Sequence, residues 1–275
     1  AEQVELRKTA PRMPRDTPLR PLIHRPKLPN ERAFGCIAKQ LSRKEFTSNK
    51  NTNPAWKAVV KELNGLRDAG TWDEDGVVEW QEVADKAKKG NYKVHIGRIF
   101  AICVLKHAEL PASDPRRKYK GRIVFQGNNV HDENHNVALF QDLSSSPAAM
   151  ETAKAADIFG SLPGNTIEQC DASQAYIQAD LANGVPTYIR MPREFWPQGK
   201  GWEKMKDPVV PLKKALYGHP EAGGHWERHA TKSLGRCGFT PTHEDWHSAF
   251  FYKELGLFLI VYVDDFKMAG KPENI

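Results

Sequence analysis

The feature that most constrains the fold is an apolar run that ends in two adjacent aspartates, LFLIVYVDDFKMAG at residues 257–270. Residues 257–263 have the composition of a buried strand, and FKMAG is typical of a second, returning strand. Asp264 and Asp265 would then lie at the tip of a β-hairpin. Neighbouring carboxylates repel each other, and burial makes both harder to ionise. Aspartate is also a common turn residue, so an ordinary turn explains the pair equally well when it is taken alone.

A third carboxylate favours a functional site over an ordinary turn. Asp171, in IEQCDASQAYI, also follows strand-like residues and stands beside a polar interruption. Three carboxylates in one cleft are unfavourable unless a cation neutralises them, and Mg²⁺ prefers hard oxygen ligands. Two such ions, about 3.5–4 Å apart, stabilise both the attacking and the leaving oxygens of a phosphoryl transfer. The three aspartates therefore predict a two-magnesium site.

The rest of the sequence predicts an α+β fold. Helical patterns cover residues 54–70, 77–90, 146–160 and 225–238, with Ser146-Pro147 as the expected start of the third helix and HPEAGG as a turn before the fourth. Extended patterns cover residues 92–110, 118–127, 166–181 and 184–192, the third being interrupted midway. Strands and helices that mix without strict βαβ alternation indicate a largely antiparallel sheet.

The first 52 residues differ from the remainder in charge and proline content. Residues 1–50 contain 12 Lys or Arg and 5 Asp or Glu, whereas the other 225 residues are nearly neutral. Repeated prolines block helices and strand ladders, and few apolar residues remain for a core. We expect residues 1–52 to be a disordered linker, acting either as a solvated tether or as an arm that holds nucleic acid.

Other possible metal sites and a membrane span are not indicated. No CxxC pair occurs among Cys36, Cys103, Cys170 and Cys237, so reduced thiols are expected rather than zinc ligands. The i,i+4 histidine pairs His131/His135 and His225/His229 do not fit the HExxH pattern, so surface histidines are expected there. No segment has the roughly 18 consecutive apolar residues of a membrane span, and no signal peptide is evident.

Four motifs in order resemble the reverse transcriptase of Ty1/copia-type retrotransposons, over about residues 53–275. YVDD stands at residues 262–265, and QCDASQAYIQADL resembles the family's LDVKTAFLNGDL. KYKGRIVFQG resembles RYKARLVAKG, and LKKALYGHPEAGGHW resembles LKKSLYGLKQAPRLW. A Trp-containing helix followed by GTW, at Trp56 and residues 70–72, fits the family's opening segment.

The resemblance implies a right-hand polymerase with a largely antiparallel palm sheet. The fingers would cover about residues 53–154 and 181–221, and the palm about residues 155–180 and 222–275. Because the sequence stops ten residues after Asp265, the thumb is expected to be absent, and the isolated chain to be weak or inactive as a polymerase. Asp171, Asp264 and Asp265 would be catalytic and hold two Mg²⁺, or Mn²⁺ in their place, with the Ala172 carbonyl as a further ligand. A primer 3′-hydroxyl would attack the α-phosphorus of a dNTP, and pyrophosphate would leave.

The resemblance also implies contacts to the nucleotide and to nucleic acid. The residues expected at the dNTP are Lys120, Arg122, Glu221 and Tyr176, the last as an aromatic gate against a 2′-hydroxyl; an ordinary strand aromatic is the alternative for Tyr176. Those expected at nucleic acid are Arg116, Arg117, Lys118 and Tyr262, with a solvated loop face as the alternative for the basic run.

The sequence also departs from the family pattern. Glu221 stands where the family has Gln, and Gly223 and Gly224 replace Pro and Arg; a carboxylate near a triphosphate should repel it. Gly121 and Gln126 replace an Ala and a Lys. The principal hypothesis is an RNA-directed DNA polymerase. The alternatives are an inactive, truncated remnant that binds nucleic acid and another two-metal palm enzyme such as a nucleotide cyclase.

The partners expected from the family are a primed RNA or DNA template, dNTPs, and the other Pol domains, namely integrase upstream and thumb and RNase H downstream. No membrane partner is expected. The expected localisation is cytoplasmic, in a virus-like particle, with access to the nucleus.

Overall fold

The computed structural model describes residues 37–140, 147–181 and 184–275. Expectations for residues 1–36, including Cys36, and for Ser146 lie outside this part of the chain. The strands are β1 (Lys39–Leu41), β2 (Val78–Glu79), β3 (His95–Lys106), β4 (Lys118–Phe125), β5 (Thr166–Asp171), β6 (Thr187–Arg190), β7 (Pro208–Pro211), β8 (Thr240–Pro241), β9 (Ala249–Tyr252), β10 (Leu257–Tyr262) and β11 (Asp265–Gly270). The α-helices are α1 (Arg43–Thr47), α2 (Pro54–Asp68), α3 (Trp80–Gly90), α4 (Met150–Gly160) and α5 (Ala222–Arg236). This mixture confirms the predicted α+β class.

The first sheet is built around the long strand β3. Its strand order is β1-β3-β6-β7-β2, and β4 also pairs with β3. Residues 99–106 of β3 pair antiparallel with β4, whereas residues 95–98 pair parallel with β6. A twelve-residue strand can hold different neighbours along its length, and here it joins the basic strand β4 to the rest of the sheet.

Helix α2 covers one face of β4. Asn53 caps it by accepting the Ala55 N–H at 2.9 Å, and Pro54 occupies the first turn, where its missing N–H is not needed. The buried stripe of α2 includes Val59 and Leu63. At Gly121 of β4 a Cβ atom would lie 2.6 Å from the Val59 Cα, so only glycine fits where the helix backbone crosses the strand.

The second sheet is antiparallel throughout, in the order β5-β11-β10-β9-β8. The predicted hairpin is confirmed, because β10 and β11 pair from Tyr262↔Asp265 to Phe258↔Ala269. Residues 257–261 of β10 are all buried, as expected for the most apolar strand. Helix α4 packs against Phe258 and Ile260 through Ala156, so the sheet has a covered face.

One sequence expectation differs from the structure near the N-terminal side of the described residues. The predicted linker is ordered over residues 39–47, where β1 pairs with β3 and α1 follows. The reason is local: Ser42 and Glu45 form a capping box, and Phe46 is 3% exposed within the main core. The basic, proline-rich composition of the segment gave no indication of this capping box.

Other boundaries also differ from the sequence expectations. Helix α4 begins at Met150, with Ala149 as its N-cap, instead of at Ser146-Pro147. The strand expected over residues 166–181 ends at Asp171 and gives way to a 3₁₀ turn at 176–178. Helix α5 begins at Ala222, so Gly223 and Gly224 are helical rather than part of a turn. His225, expected at the surface, is 8% exposed.

No helix within the described ranges is both long enough and apolar enough to cross a membrane.

Candidate active site

Two of the three predicted aspartates face each other across the second sheet. Asp171 is the last residue of β5, Asp265 is the first of β11, and the two are direct antiparallel partners. A hydrogen bond between their carboxyl groups raises the pKa of Asp265, and burial and the charges of Asp171 and Asp264 raise it further. Such a bond needs a proton on one carboxyl group, because two ionised carboxylates at this distance repel each other. The sheet register therefore creates a converging carboxylate pair.

The third aspartate lies in the turn between β10 and β11. Val263, which precedes it, has φ 58°, a left-handed conformation that is unfavourable for a β-branched residue. Two hydrogen bonds hold this turn: the Ala172 N–H donates to the Asp264 carbonyl at 2.6 Å, and the Trp226 Nε1–H donates to the Val263 carbonyl at 2.6 Å. The turn is thus fixed from β5 on one side and from α5 on the other.

The oxygen atoms available as ligands decide whether a divalent cation can bind at this site. Within the described residues, no three His, Cys, Asp or Glu side chains form a group that would hold a metal ion by themselves. Asp171 and Asp265 nevertheless supply two converging hard oxygen donors, and Mg²⁺ commonly takes one or two carboxylates and completes its shell with water and substrate phosphates. A cation between the two carboxylates would offset their mutual repulsion. The residues present fit such an ion.

The basic strand β4 contributes two cations on one face. Lys120 and Arg122 are half-buried on one face of β4. Gly121 and Ile123, which alternate with them along the strand, are buried on the opposite face. Burial lowers the pKa of Lys120, as do the charges of Arg122 and Lys106, and the negative charge of Asp264 opposes this change. The predicted shared face of Lys120 and Arg122 is confirmed, and it lies within electrostatic reach of the hairpin tip.

Tyr176 and Tyr217 lie between the basic strand and the hairpin. Their rings meet edge to face, with centroids 4.8 Å apart, and the Arg122 guanidinium carbon lies 5.3 Å from the Tyr217 centroid. Burial raises the pKa of both phenols, and the charge of Asp264 raises each further. Tyr217 received no role from the sequence, although it is the Tyr of the LYG motif. The motif could have pointed to Tyr217, but its ring contacts Tyr176 and Arg122, which are distant from it in the sequence.

Glu221 lies apart from the carboxylate pair. It immediately precedes α5 and lines a cavity together with Lys93, His95 and His225. Asp171 and Asp265 line a different cleft, of about 540 Å³. The structure does not bring Glu221 together with the carboxylate pair.

The four residues that the sequence predicts at nucleic acid fall into two groups: two contact their own loop, and two are exposed. The Arg116 guanidinium pairs with Asp114 at 2.8 Å, and Arg117 donates to the Leu110 carbonyl at 2.8 Å. These two side chains therefore help to order their own loop. Lys118 is exposed, and so is Tyr262, with 55% of its surface accessible.

The fold and the carboxylate hairpin agree with a family comparison. The family model described as reverse transcriptase (RNA-dependent DNA polymerase) matches residues 102–275, so the chain belongs to that family. Similar proteins include the truncated transposon Ty1-A Gag-Pol polyprotein and the transposon Ty1-DR5 Gag-Pol polyprotein of Saccharomyces cerevisiae, each 25% identical over 220 residues. The match covers 79% of this chain but only 16% and 11% of those two polyproteins. The predicted Ty1/copia-type reverse transcriptase domain is thereby confirmed.

Proposed function

We propose that this chain carries the polymerase centre of a retrotransposon reverse transcriptase, which extends a primer with dNTPs on an RNA template. The observation that carries the proposal is the pairing of Asp171 with Asp265. The pair stands beside the turn that contains Asp264, which hydrogen bonds hold in place. The family membership of residues 102–275 supports the same reaction class. The first sheet then corresponds to the fingers and the second sheet to the palm.

The aspartates would hold the Mg²⁺ ions, with the Ala172 carbonyl as a further donor. When bound, the ions supply positive charge that stabilises the attacking and leaving oxygens of the phosphoryl transfer. The chain contributes position: Trp226 and the Ala172 N–H hold the turn, so Asp264 keeps its place relative to β5. The hydrogen bond to Asp171 and the charges of Asp171 and Asp264 raise the pKa of Asp265, which supports the proposal that a cation binds here.

The nucleotide would bind between β4 and the hairpin. Lys120 and Arg122 present their cationic groups on the same face, which suits a shared triphosphate. Tyr176, near Asp264, would pack against the sugar and disfavour a 2′-hydroxyl. Lys118 and Tyr262 are exposed and would contact the primer–template, mainly through phosphates in the case of Lys118.

The test is single-nucleotide incorporation on a primed RNA template with Mg²⁺ or Mn²⁺, using the natural gene product that contains this chain. We expect incorporation by the unaltered protein and its loss in the double variant Asp264→Asn, Asp265→Asn. Asp85→Asn is the matched control, because Asp85 is exposed on α3, a helix that packs against the first sheet. The control should retain activity.

A folded protein that binds RNA without incorporating nucleotide would contradict the proposal and indicate a nucleic-acid-binding remnant. Equal use of NTPs and dNTPs without dependence on a primer would indicate another two-metal palm enzyme. The other Pol domains as partners, and a cytoplasmic particle as the location, remain proposals that follow from the Gag-Pol character of the relatives.

A further inference from the structure

Tyr217 occupies the space between two residues that the proposed function assigns to the nucleotide. Its ring lies 4.8 Å from that of Tyr176, with the planes at 77°, and it also lies under the Arg122 guanidinium at 5.3 Å. Edge-to-face aromatic pairs and cation–π contacts both have preferred geometries, so each neighbour restricts where the Tyr217 ring can lie. Conversely, Tyr217 restricts Tyr176 and Arg122.

The backbone of Tyr217 is itself attached to the end of β4. Its carbonyl accepts the Phe125 N–H at 2.7 Å. The next residue, Gly218, has φ +87°, and a Cβ there would lie 2.2 Å from the Phe125 carbonyl oxygen. A Cβ at Gly127 would likewise lie 2.2 Å from the Gly218 carbonyl oxygen. Because the two segments touch through backbone atoms, the Tyr217 ring is anchored to the strand that carries Lys120 and Arg122.

We propose that Tyr217 is a positioning residue for sugar selection, which keeps the Tyr176 ring from retreating when a ribonucleotide enters. This inference rests on the proposed function. An aromatic gate rejects a 2′-hydroxyl only if it cannot move aside, and the edge contact with Tyr217 blocks that movement. Since Tyr217 also contacts Arg122, the residue links the group that holds the triphosphate to the one that contacts the sugar.

The experiment compares kcat/KM for a dNTP and the matching NTP in single-nucleotide incorporation, again with the natural gene product. Tyr217→Leu removes the ring and keeps apolar volume, whereas Tyr217→Phe keeps the ring. Tyr188→Leu is the matched control, because Tyr188 is also half-buried and makes an edge contact, to Trp80, away from the site. We expect the dNTP/NTP ratio to fall about five- to tenfold in Tyr217→Leu, the size of effect that an aromatic pair supports. It should change less than about twofold in Tyr217→Phe and Tyr188→Leu.

A double variant provides the readout that a merely structural role would not change. In a Tyr176→Ala background, Tyr217→Leu should not lower the ratio further, since the gate that it positions is gone. An unchanged ratio in an active Tyr217→Leu protein overturns the inference and leaves the proposed function intact. An equal loss of kcat/KM for the dNTP and the NTP in Tyr217→Leu also overturns the inference. A reduced dNTP/NTP ratio in Tyr217→Phe does so as well. If Tyr217→Leu does not fold, Tyr217→Met is judged by the same criteria. If the unaltered protein does not incorporate nucleotide, the proposed function is wrong and the inference with it.

Discussion

Acid should destabilise this protein through one buried histidine, His219. The side chain is 5% exposed and packs against Phe125 and Phe140, with ring centroids 5.0 and 5.5 Å away. Burial, followed by the charges of His225 and His95, lowers the pKa of His219 to about 3. Its Nδ1 accepts the Glu221 N–H at 3.2 Å, and its Nε2 has no hydrogen-bond partner among the residues that the structure describes. Protonation would place a hydrogen on Nδ1 and break the bond that it accepts.

The size and sign of the effect follow from the difference between the folded and unfolded pKa. The unfolded imidazole titrates near 6.5 and the folded one near 3, so between these values the unfolded state binds the proton first. The free energy of unfolding therefore falls as pH drops below 6.5, by at most about 1.4 kcal/mol for each pH unit. From pH 7 to pH 4.5, His219 alone should remove about 2–3 kcal/mol.

Urea unfolding at pH 7 and pH 4.5 tests this value in the protein, in His219→Leu and in His247→Leu. The Ty1/copia motif has Leu at the position of His219, so the substitution suits an apolar pocket. Relative to the unaltered protein, His219→Leu should gain about 2–3 kcal/mol more at pH 4.5 than at pH 7. His247 is exposed, so His247→Leu serves as the matched surface control. If His219→Leu changes the free energy of unfolding by the same amount at both pH values, the reasoning is refuted, whatever the size of that change.

Four further predictions concern the hairpin turn, packing and helix capping. Trp226→Phe removes the donor to the Val263 carbonyl, so kcat for incorporation should fall about tenfold with little change in KM, as single-turnover kinetics would show. Gly121→Ala should lower the free energy of unfolding by about 1–3 kcal/mol in urea titration, because its Cβ meets the α2 backbone. Gly235→Ala, in α5 with open space around it, should instead raise it by about 0.5–1 kcal/mol. Asn53→Ala should lower the melting temperature through the loss of about 1 kcal/mol of helix capping, as calorimetry would detect.

The sequence predicted those elements whose signals are local and periodic. The hairpin followed from an apolar run that a pair of aspartates interrupts, and α2 followed from its apolar spacing and its Asn53-Pro54 start. Residues 39–47 were missed because the proline-rich, basic composition before them outweighed the capping box of Ser42 and Glu45. The early start of α5 was missed because glycines usually mark turns, whereas here they lie within a packed helix.

The candidate site was predictable as a set of residue types, but not as a set of contacts. Asp171 and Asp265 could be placed near each other from the family motifs, yet the register that makes them direct partners is a property of the sheet. Gly121 looked like the loss of a family Ala until the approach of Val59 explained it. The interaction of Tyr217 with Arg122 depends on two segments about 95 residues apart, which no local pattern reveals.

The hydrogen bond from the Ala172 N–H to the Asp264 carbonyl couples two segments that are far apart in the sequence. The turn cannot open without releasing the amide that follows the last residue of an edge strand. The tip of β10–β11 and the end of β5 should therefore fluctuate as one unit, with a shared opening free energy. Amide hydrogen exchange at Ala172 would then report the opening of the hairpin, although that residue lies outside it.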